Sequence, residues 1–256
     1  MTMKSNTLIR FCAGATLVAS TFGAQAATVT FNSWAYTNGN AVSVTSPTYN
    51  GPAGAFNVTV TNSEILSVTG TFEALCVDLY EHINLPATYS NGEYTVVSGA
   101  DYFSGDKAIK LAKLFTFVRE GSLFNGTTST LRDDFSTAMQ LAVWNITYDA
   151  DTTLASGTFS SASATATATN AVNGYYGANQ LLSLSGALTS WTQSIYVLKS
   201  TDDSPFSSSG PGRQDQVIWT GGGTNIRVPE PASLSLAMLA FAAAGVATRR
   251  RKPVQG

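Results

Sequence analysis

Two residues far apart in the chain have types and contexts that suit covalent chemistry. Cys76 lies in FEALCVDLYEH, Phe72 to His82, and Gln140 lies in FSTAMQLAVWNITYD, Phe135 to Asp149. A thiolate brought against a side-chain amide can attack its carbonyl carbon and expel ammonia, which leaves an internal thioester. Such a bond is a stored electrophile: an incoming amine or hydroxyl takes the acyl group and frees the thiol. Positioning alone can supply on the order of 7 kcal/mol toward an intramolecular barrier of this kind. Two plainer readings stand beside it. The cysteine can be a small buried hydrophobe that never meets the glutamine, or an unpaired secreted thiol open to an intermolecular disulfide.

The elements that would carry the two residues follow from periodicity. Side chains alternate across a strand, so over Thr71 to Tyr80 one face takes Leu75, Val77 and Leu79. The other takes Phe72, Ala74, Cys76, Asp78 and Tyr80, and His82 if the strand runs that far, giving Cys76 a mixed face that another element can reach. Thr130 and Asp133 stand three apart like a capping box opening a helix over about 131–148, whose core stripe is Phe135, Met139, Ala142 and Ile146. Gln140 falls at the edge of that stripe, neither fully buried nor freely solvated, with Thr137, Val143 and Trp144 as helical neighbours. Phe72, Tyr80 and Trp144 are candidates to shield a thioester from water.

The remaining segments predict a scaffold of α+β class. TVTFNSW and FNVTV alternate as strands with turn residues between them, and EYTVVSG is strand-like. Ser104 can cap a helix from about 105 to 120, with Gly121 as its stop. Residues 152–170 are rich in Ser, Thr and Ala and read as a flexible loop or weak helix. SIYVLKS and QVIWT look like closing strands. The expected fold is a β-rich sandwich or barrel-like lobe with an inserted helical lobe.

Both ends of the chain read as addresses. Residues 1–26 have a basic start (Lys4, Arg10), an apolar run and the triplet Ala24-Gln25-Ala26, the pattern of a secretory signal peptide cleaved after Ala26. Cys12 would leave with it, so the mature chain keeps Cys76 alone. At the other end Pro229, Glu230 and Pro231 precede an uncharged run from Ala232 to Ala247 and the block Arg249-Arg250-Arg251-Lys252. Sixteen helical residues span about 24 Å, short for a permanent membrane span but enough for a transient anchor with its basic block on the cytoplasmic side. The domain plan is thus 1–26 signal peptide, 27–220 extracellular domain, 221–227 linker and 228–252 sorting signal with a short transmembrane helix.

Composition limits the classes of function. The chain has 256 residues, 44% hydrophobic, enough for a sizeable core, and only 12% charged. The formal net charge of −2 counts 14 basic residues, six of them in the terminal segments that processing would remove. Eight basic residues then face 16 acidic ones, counting Glu230 as retained, which argues against nucleic acid as a partner. No cofactor motif is visible. His82, the sole histidine, could assist an incoming hydroxyl as a base, but reads first as a solvated strand-end residue. Glu73, Asp78 and Glu81 imitate a hydrolase pair, but Asp78 differs in parity from the two glutamates and nothing fixes a separation. Asp149 with Asp151, and Asp202 with Asp203, lack a calcium-loop pattern and read as turn acids.

Two resemblances complete the reading. The tail resembles the Pro-Glu-Pro carboxy-terminal (PEP-CTERM) sorting signal of Gram-negative bacteria. That resemblance implies an exosortase as processing partner, a transient inner-membrane anchor and a final place at the cell surface or in the extracellular matrix. Leu75-Cys76-Val77-Asp78 and Met139-Gln140-Leu141-Ala142-Val143-Trp144 are similar to the two signature segments of bacterial surface thioester domains, known chiefly from Gram-positive adhesins. This second likeness covers about residues 72–149, and Met139 stands where the family often has Thr. It implies a thioester-domain-like fold, a Cys76–Gln140 cross-link with Asp78, Trp144 and His82 as site neighbours, and an amine- or hydroxyl-bearing polymer as partner. The expected function is therefore non-enzymatic covalent attachment. The alternatives are a structural biofilm or exopolysaccharide-matrix protein of the same fold that never forms the bond and, further off, an extracellular glycan hydrolase.

Overall fold

A computed structural model describes residues 27–36, 38–79, 81, 83–120, 129–149, 151–161, 176–202 and 213–221. The signal peptide, His82, residues 162–170 and the sorting signal with its transmembrane helix lie outside the described residues. Among the described residues no helix is long and apolar enough to cross a membrane.

Six antiparallel strands close into a barrel: β1 (Ala27–Trp34), β4 (Phe56–Thr61), β5 (Gly70–Cys76), β9 (Gln216–Gly221), β8 (Gln193–Ser200) and β6 (Ala87–Ser98), in that spatial order. A second sheet joins β3 (Tyr49–Ala53), β2 (Asn40–Ser46) and the short β7 (Ser160–Ser161). The alternation expected for TVTFNSW and FNVTV is met: Ala27, Val29 and Phe31 of β1 and Phe56, Val58 and Val60 of β4 are buried, while the residues between them are more exposed. Residues directly opposite in a ladder project to the same face. The pairings Phe31↔Val58, Phe56↔Ala74 and Ala74↔Ile218 therefore carry one inward set around the barrel. Phe31, Tyr89 and Tyr94 fill it with rings whose centroids lie 5.3–5.9 Å apart.

Closure depends on β6, which is longer than the EYTVVSG segment predicts. Its first residues pair with β1 (Thr88↔Thr30, Tyr89↔Val29) and its last with β8 (Val96↔Leu198, Ser98↔Tyr196). The register breaks between Ala27 and Val29 of β1, opposite Gly92, whose φ of 86° is a backbone conformation that glycine alone adopts without a Cβ penalty. One strand thereby turns a corner and closes the cylinder.

The helices lie between β6 and β8 in the chain, as an insertion should. Ser98 caps the single turn α1 (Gly99–Tyr102) by accepting from the Asp101 backbone N–H. Then come α2 (Lys107–Glu120), α3 (Ser129–Tyr148) and α4 (Ala178–Gly186). Two expected boundaries shift: α2 begins at Lys107, two residues later than predicted, and α3 begins at Ser129, so Thr130 lies inside the helix rather than capping it. Helix α4 has no counterpart in the expected elements; Leu181 and Leu182 bury it against α2 and α3. Residues 151–161 are partly organised rather than loose, because the Asp149 carboxylate accepts from the backbone N–H groups of Thr158 and Phe159 and from the Thr158 hydroxyl.

Helix α2 packs on β8 and β9 and α3 on β5, so consecutive residues of these strands are buried beneath them: Ala74 to Cys76, Val197 with Leu198, and Gln216 to Ile218. Phe115 of α2 stacks on Trp219 of β9, centroids 4.1 Å apart and planes within 9°. Phe115 is fully buried, so Phe115→Ala should remove this anchor and cost about 3–5 kcal/mol in a urea-denaturation measurement.

Candidate functional site

Strand β5 ends at Cys76, earlier than the parity count assumed, and this decides what surrounds the sulfur. The count holds up to that point: Ala74 and Cys76 share a face. That face is the end of the barrel interior rather than an open mixed face. Beyond it the backbone leaves the strand, so Asp78 is not placed by alternation, and His82 lies outside the described residues.

Alternate residues of an antiparallel strand direct N–H and C=O to opposite neighbours. Val77 turns its N–H to β9, bonding the Asp215 carbonyl at 3.1 Å, so Cys76 turns its own groups toward β4. But β4 starts at Phe56, whose partner is Ala74, and offers nothing opposite Cys76. Gln140 of α3 fills the vacancy. Its Oε1 accepts from the Cys76 N–H at 2.9 Å and its Nε2 donates to the Cys76 carbonyl at 2.7 Å. A side-chain amide thus stands in for a peptide group of the missing strand.

Other side chains of α3 hold it along the same line. Ser136 Oγ accepts from the Ala55 N–H at 2.6 Å, and Thr137 Oγ1 donates to the Ala53 carbonyl at 2.7 Å. Thr147 Oγ1 donates to the Val77 carbonyl at 3.2 Å, and Tyr148 Oη accepts from the Leu79 N–H at 3.2 Å. The helix is enclosed by barrel, second sheet and α4, so residues beyond its predicted core stripe are buried as well. Gln140 is 0% exposed, in place of the intermediate burial its helical position suggested.

The structure therefore brings Cys76 and Gln140 together, but through the cysteine's backbone. The sulfur has other neighbours, Gln214 and Gln216, which sequence reasoning missed. Cys76 Sγ–H donates to Gln214 Oε1 at 2.8 Å, and Gln216 Nε2 donates to Sγ at 3.3 Å. Gln216 is the cross-strand partner of Cys76 in the β5–β9 ladder, so the two side chains share a face. Gln216 is 0% exposed, and its Oε1 has no hydrogen-bond partner among the described residues. Only the recurrence of Gln in RQDQVIW hinted at the pair, and a strand assignment alone does not place it beside residue 76. Burial pushes the Cys76 thiol well above its usual range, and the Gln216 N–H opposes this in part. The group is a protonated thiol at neutral pH.

Asp78 supports the site from below. It accepts from the backbone N–H groups of Asp215 at 3.0 Å and Glu81 at 3.3 Å, while its carbonyl accepts from Gln214 Nε2 at 2.8 Å. Burial, with the Asp215 carboxylate adding to it, raises the Asp78 carboxyl to about 7 against the stabilising pull of those N–H groups. Tyr102 Oη and the Ser200 N–H hold Asp215, each at 2.6 Å. Trp144 is 2% exposed and meets Tyr49 edge-on at 5.5 Å.

Cys76, Gln140, Gln214 and Trp144 line one cavity of about 330 Å³, walled further by Trp34, Tyr49, Phe56, Glu81, Ile83 and Leu85 and by residues 50–54. The remaining sequence candidates lie apart from this chemistry. Glu73 accepts from Tyr36 Oη at 2.8 Å, and Asp151 accepts from Asn145 Nδ2 at 2.8 Å. What the arrangement can do is hold a buried thiol against carboxamides at the wall of a cavity.

Residues 227–252, which include Pro229, Glu230 and Pro231, match the PEP-CTERM protein-sorting motif. The chain is thus an exported protein with a C-terminal signal for exosortase processing. No curated protein and no solved structure matches it.

Two outcomes test the site's construction. Gln140→Ala leaves a buried N–H and C=O of Cys76 unpaired, at about 1–3 kcal/mol for each group, so urea denaturation should show a loss of about 2–6 kcal/mol. For Asp78 the folded pKa of about 7 lies above the unfolded value of about 3.9. Its proton-linked stabilisation is complete below the unfolded value and is lost as pH rises through about 7. Between pH 4 and 8 the melting temperature of Asp78→Asn should therefore fall less than that of the wild type.

Proposed function

We propose that this exported protein is a non-enzymatic attachment protein of a Gram-negative cell surface or extracellular matrix. It joins its partner covalently through an internal thioester of Cys76, and the acyl group is that of Gln216. The observation that carries this reading is the cross-strand contact in which Gln216 Nε2 lies 3.3 Å from Sγ while Gln216 Oε1 has no partner among the described residues.

Gln140 suits the acyl role less well than the sequence implied. Both ends of its amide are committed to the backbone of Cys76, and attack there would dissolve the ladder end. Gln216 carries no such duty. In the proposed step Sγ bonds to Cδ of Gln216, the C–N bond breaks, and the thiol proton passes to Nε2, so that ammonia leaves. Gln214 Oε1, which accepts the S–H, orients the sulfur. An amine or hydroxyl of a matrix polymer, another protein or a surface then attacks the same carbon. An amide or ester forms, and the proton returns to the thiol. Trp144, Tyr49 and Phe56 limit access of water to the bond.

One observation favours a second reading, a structural matrix protein that makes no bond. The thiol is satisfied as it stands, with an acceptor at 2.8 Å and a pKa above its ordinary value. Intact mass of freshly secreted protein separates the two. The thioester lowers the mass by one ammonia relative to the processed sequence, and methylamine restores a free thiol while adding to one glutamine. Peptide mapping should place the methylamide on Gln216, and Cys76→Ala should abolish both signals. Modification at Gln140 or Gln214 would reassign the acyl partner. A mass equal to the plain sequence, with Cys76 titrating as a free thiol, would rule covalent attachment out.

A further inference from the structure

The cavity over Cys76 is continuous in its walls with a second one. A concavity of about 360 Å³ is lined by Asn32, Ser33, Trp34, Tyr36, Asn38, Leu85 and Pro86. Trp34 and Leu85 line both this concavity and the one that holds Cys76. Sharing Trp34 and Leu85, the two adjoin as one cleft-like surface whose inner part is lined by Cys76.

We propose that this cleft binds a neutral glycan chain and presents a sugar hydroxyl to the Cys76 site. Among the described residues no Lys or Arg lines either part, although Arg132 is close enough to act on Tyr36, and the acidic chain around the cleft disfavours an anionic polymer. Glu81 is, among the described residues, the sole charged one in the walls, and it already has an interaction of its own. What the walls do offer is aromatic surface beside side-chain amides. Trp34, Tyr36 and Tyr49 supply flat apolar faces on which a pyranose ring can lie. Asn38 and Asn50 are exposed and carry amides, each both donor and acceptor, which match the vicinal hydroxyls of a sugar, and Asn32, whose Nδ2 donates to Asn57 and Thr59, adds an acceptor oxygen. At the inner end Trp144 has a buried indole N–H without a partner among the described residues, a donor that a hydroxyl oxygen can satisfy. A site with a few convergent polar groups on an apolar, aromatic wall is the usual form of a small-ligand or saccharide cleft.

Binding itself does not need the thioester; only the covalent step rests on the attachment reading above. In that step the sugar oxygen bonds to Cδ of Gln216, the C–S bond breaks, and the hydroxyl proton goes to sulfur. The product is an ester and a free Cys76.

The test uses the processed protein and its Cys76→Ala form with neutral gluco-, manno- and galacto-oligosaccharides, with alginate as an anionic control and a lysine-rich peptide as an amine control. Calorimetry should detect binding of at least one neutral oligosaccharide to Cys76→Ala and none of alginate. Trp34→Ala should weaken that binding about tenfold or more, the equivalent of about 1.4 kcal/mol. Asn38→Ala, at an exposed position, should weaken it with an unchanged melting temperature. Wild-type protein should gain the mass of the bound oligosaccharide, released by mild base as an ester is. Binding of neutral sugar without any mass gain would keep the cleft and sink the thioester. Coupling of methylamine or the lysine peptide at Gln216, with no neutral sugar bound, would overturn the glycan proposal and leave the thioester standing.

Discussion

The arrangement around Cys76 rests on one substitution of partners. Where β4 stops short, the carboxamide of Gln140 takes up the N–H and C=O that a further strand residue would have bonded. An orphaned backbone pair in a dry core would cost several kcal/mol, so the helix that carries Gln140 cannot drift relative to β5. Ser136, Thr137, Thr147 and Tyr148 extend the same bargain along α3, each answering a backbone group that the barrel leaves open. Helix and sheet are therefore registered by hydrogen bonds rather than by apolar packing alone, and packing is the less directional of the two.

That registration has a chemical corollary. With the backbone of Cys76 fixed on one side by Gln140 and on the other by β9, the direction of its Cα–Cβ bond is set, and the sulfur is delivered to the cross-strand neighbour Gln216. A rigid scaffold of this kind suits a reaction that needs alignment more than acid–base assistance. The raised pKa of the thiol fits the same picture: a buried sulfur is kept from outside reagents and offered only to what lies within reach.

Much of this was legible in the sequence, for reasons that can be named. Strict alternation wrote β1 and β4 into the chain, and the helical stripe of Phe135, Met139, Ala142 and Ile146 wrote α3. Cys76 and Gln140 were picked out by their contexts, and the fold sets them side by side. The role of Gln140 was not legible, because nothing in a helical pattern tells that a strand will end one pair too soon. Gln214 and Gln216 were missed because cross-strand pairing joins residues 140 positions apart through a closure that depends on the bend at Gly92. Burial of Gln140 was underestimated because amphipathic patterns assume one wet side, and α3 has none over most of its length. Helix α4 is only nine residues long, with too few turns to show a period.

The place of β9 in the chain carries a mechanical meaning. Gln216 opens that strand, Gly221 closes it, and the sorting motif begins at residue 227. On the proposed chemistry, a load applied between a partner on Gln216 and a point of anchorage near the C-terminus travels through little more than one short strand. The rest of the barrel stays out of the line of force. Such a protein would act as a short tether, whose strength is that of its covalent links rather than of its fold.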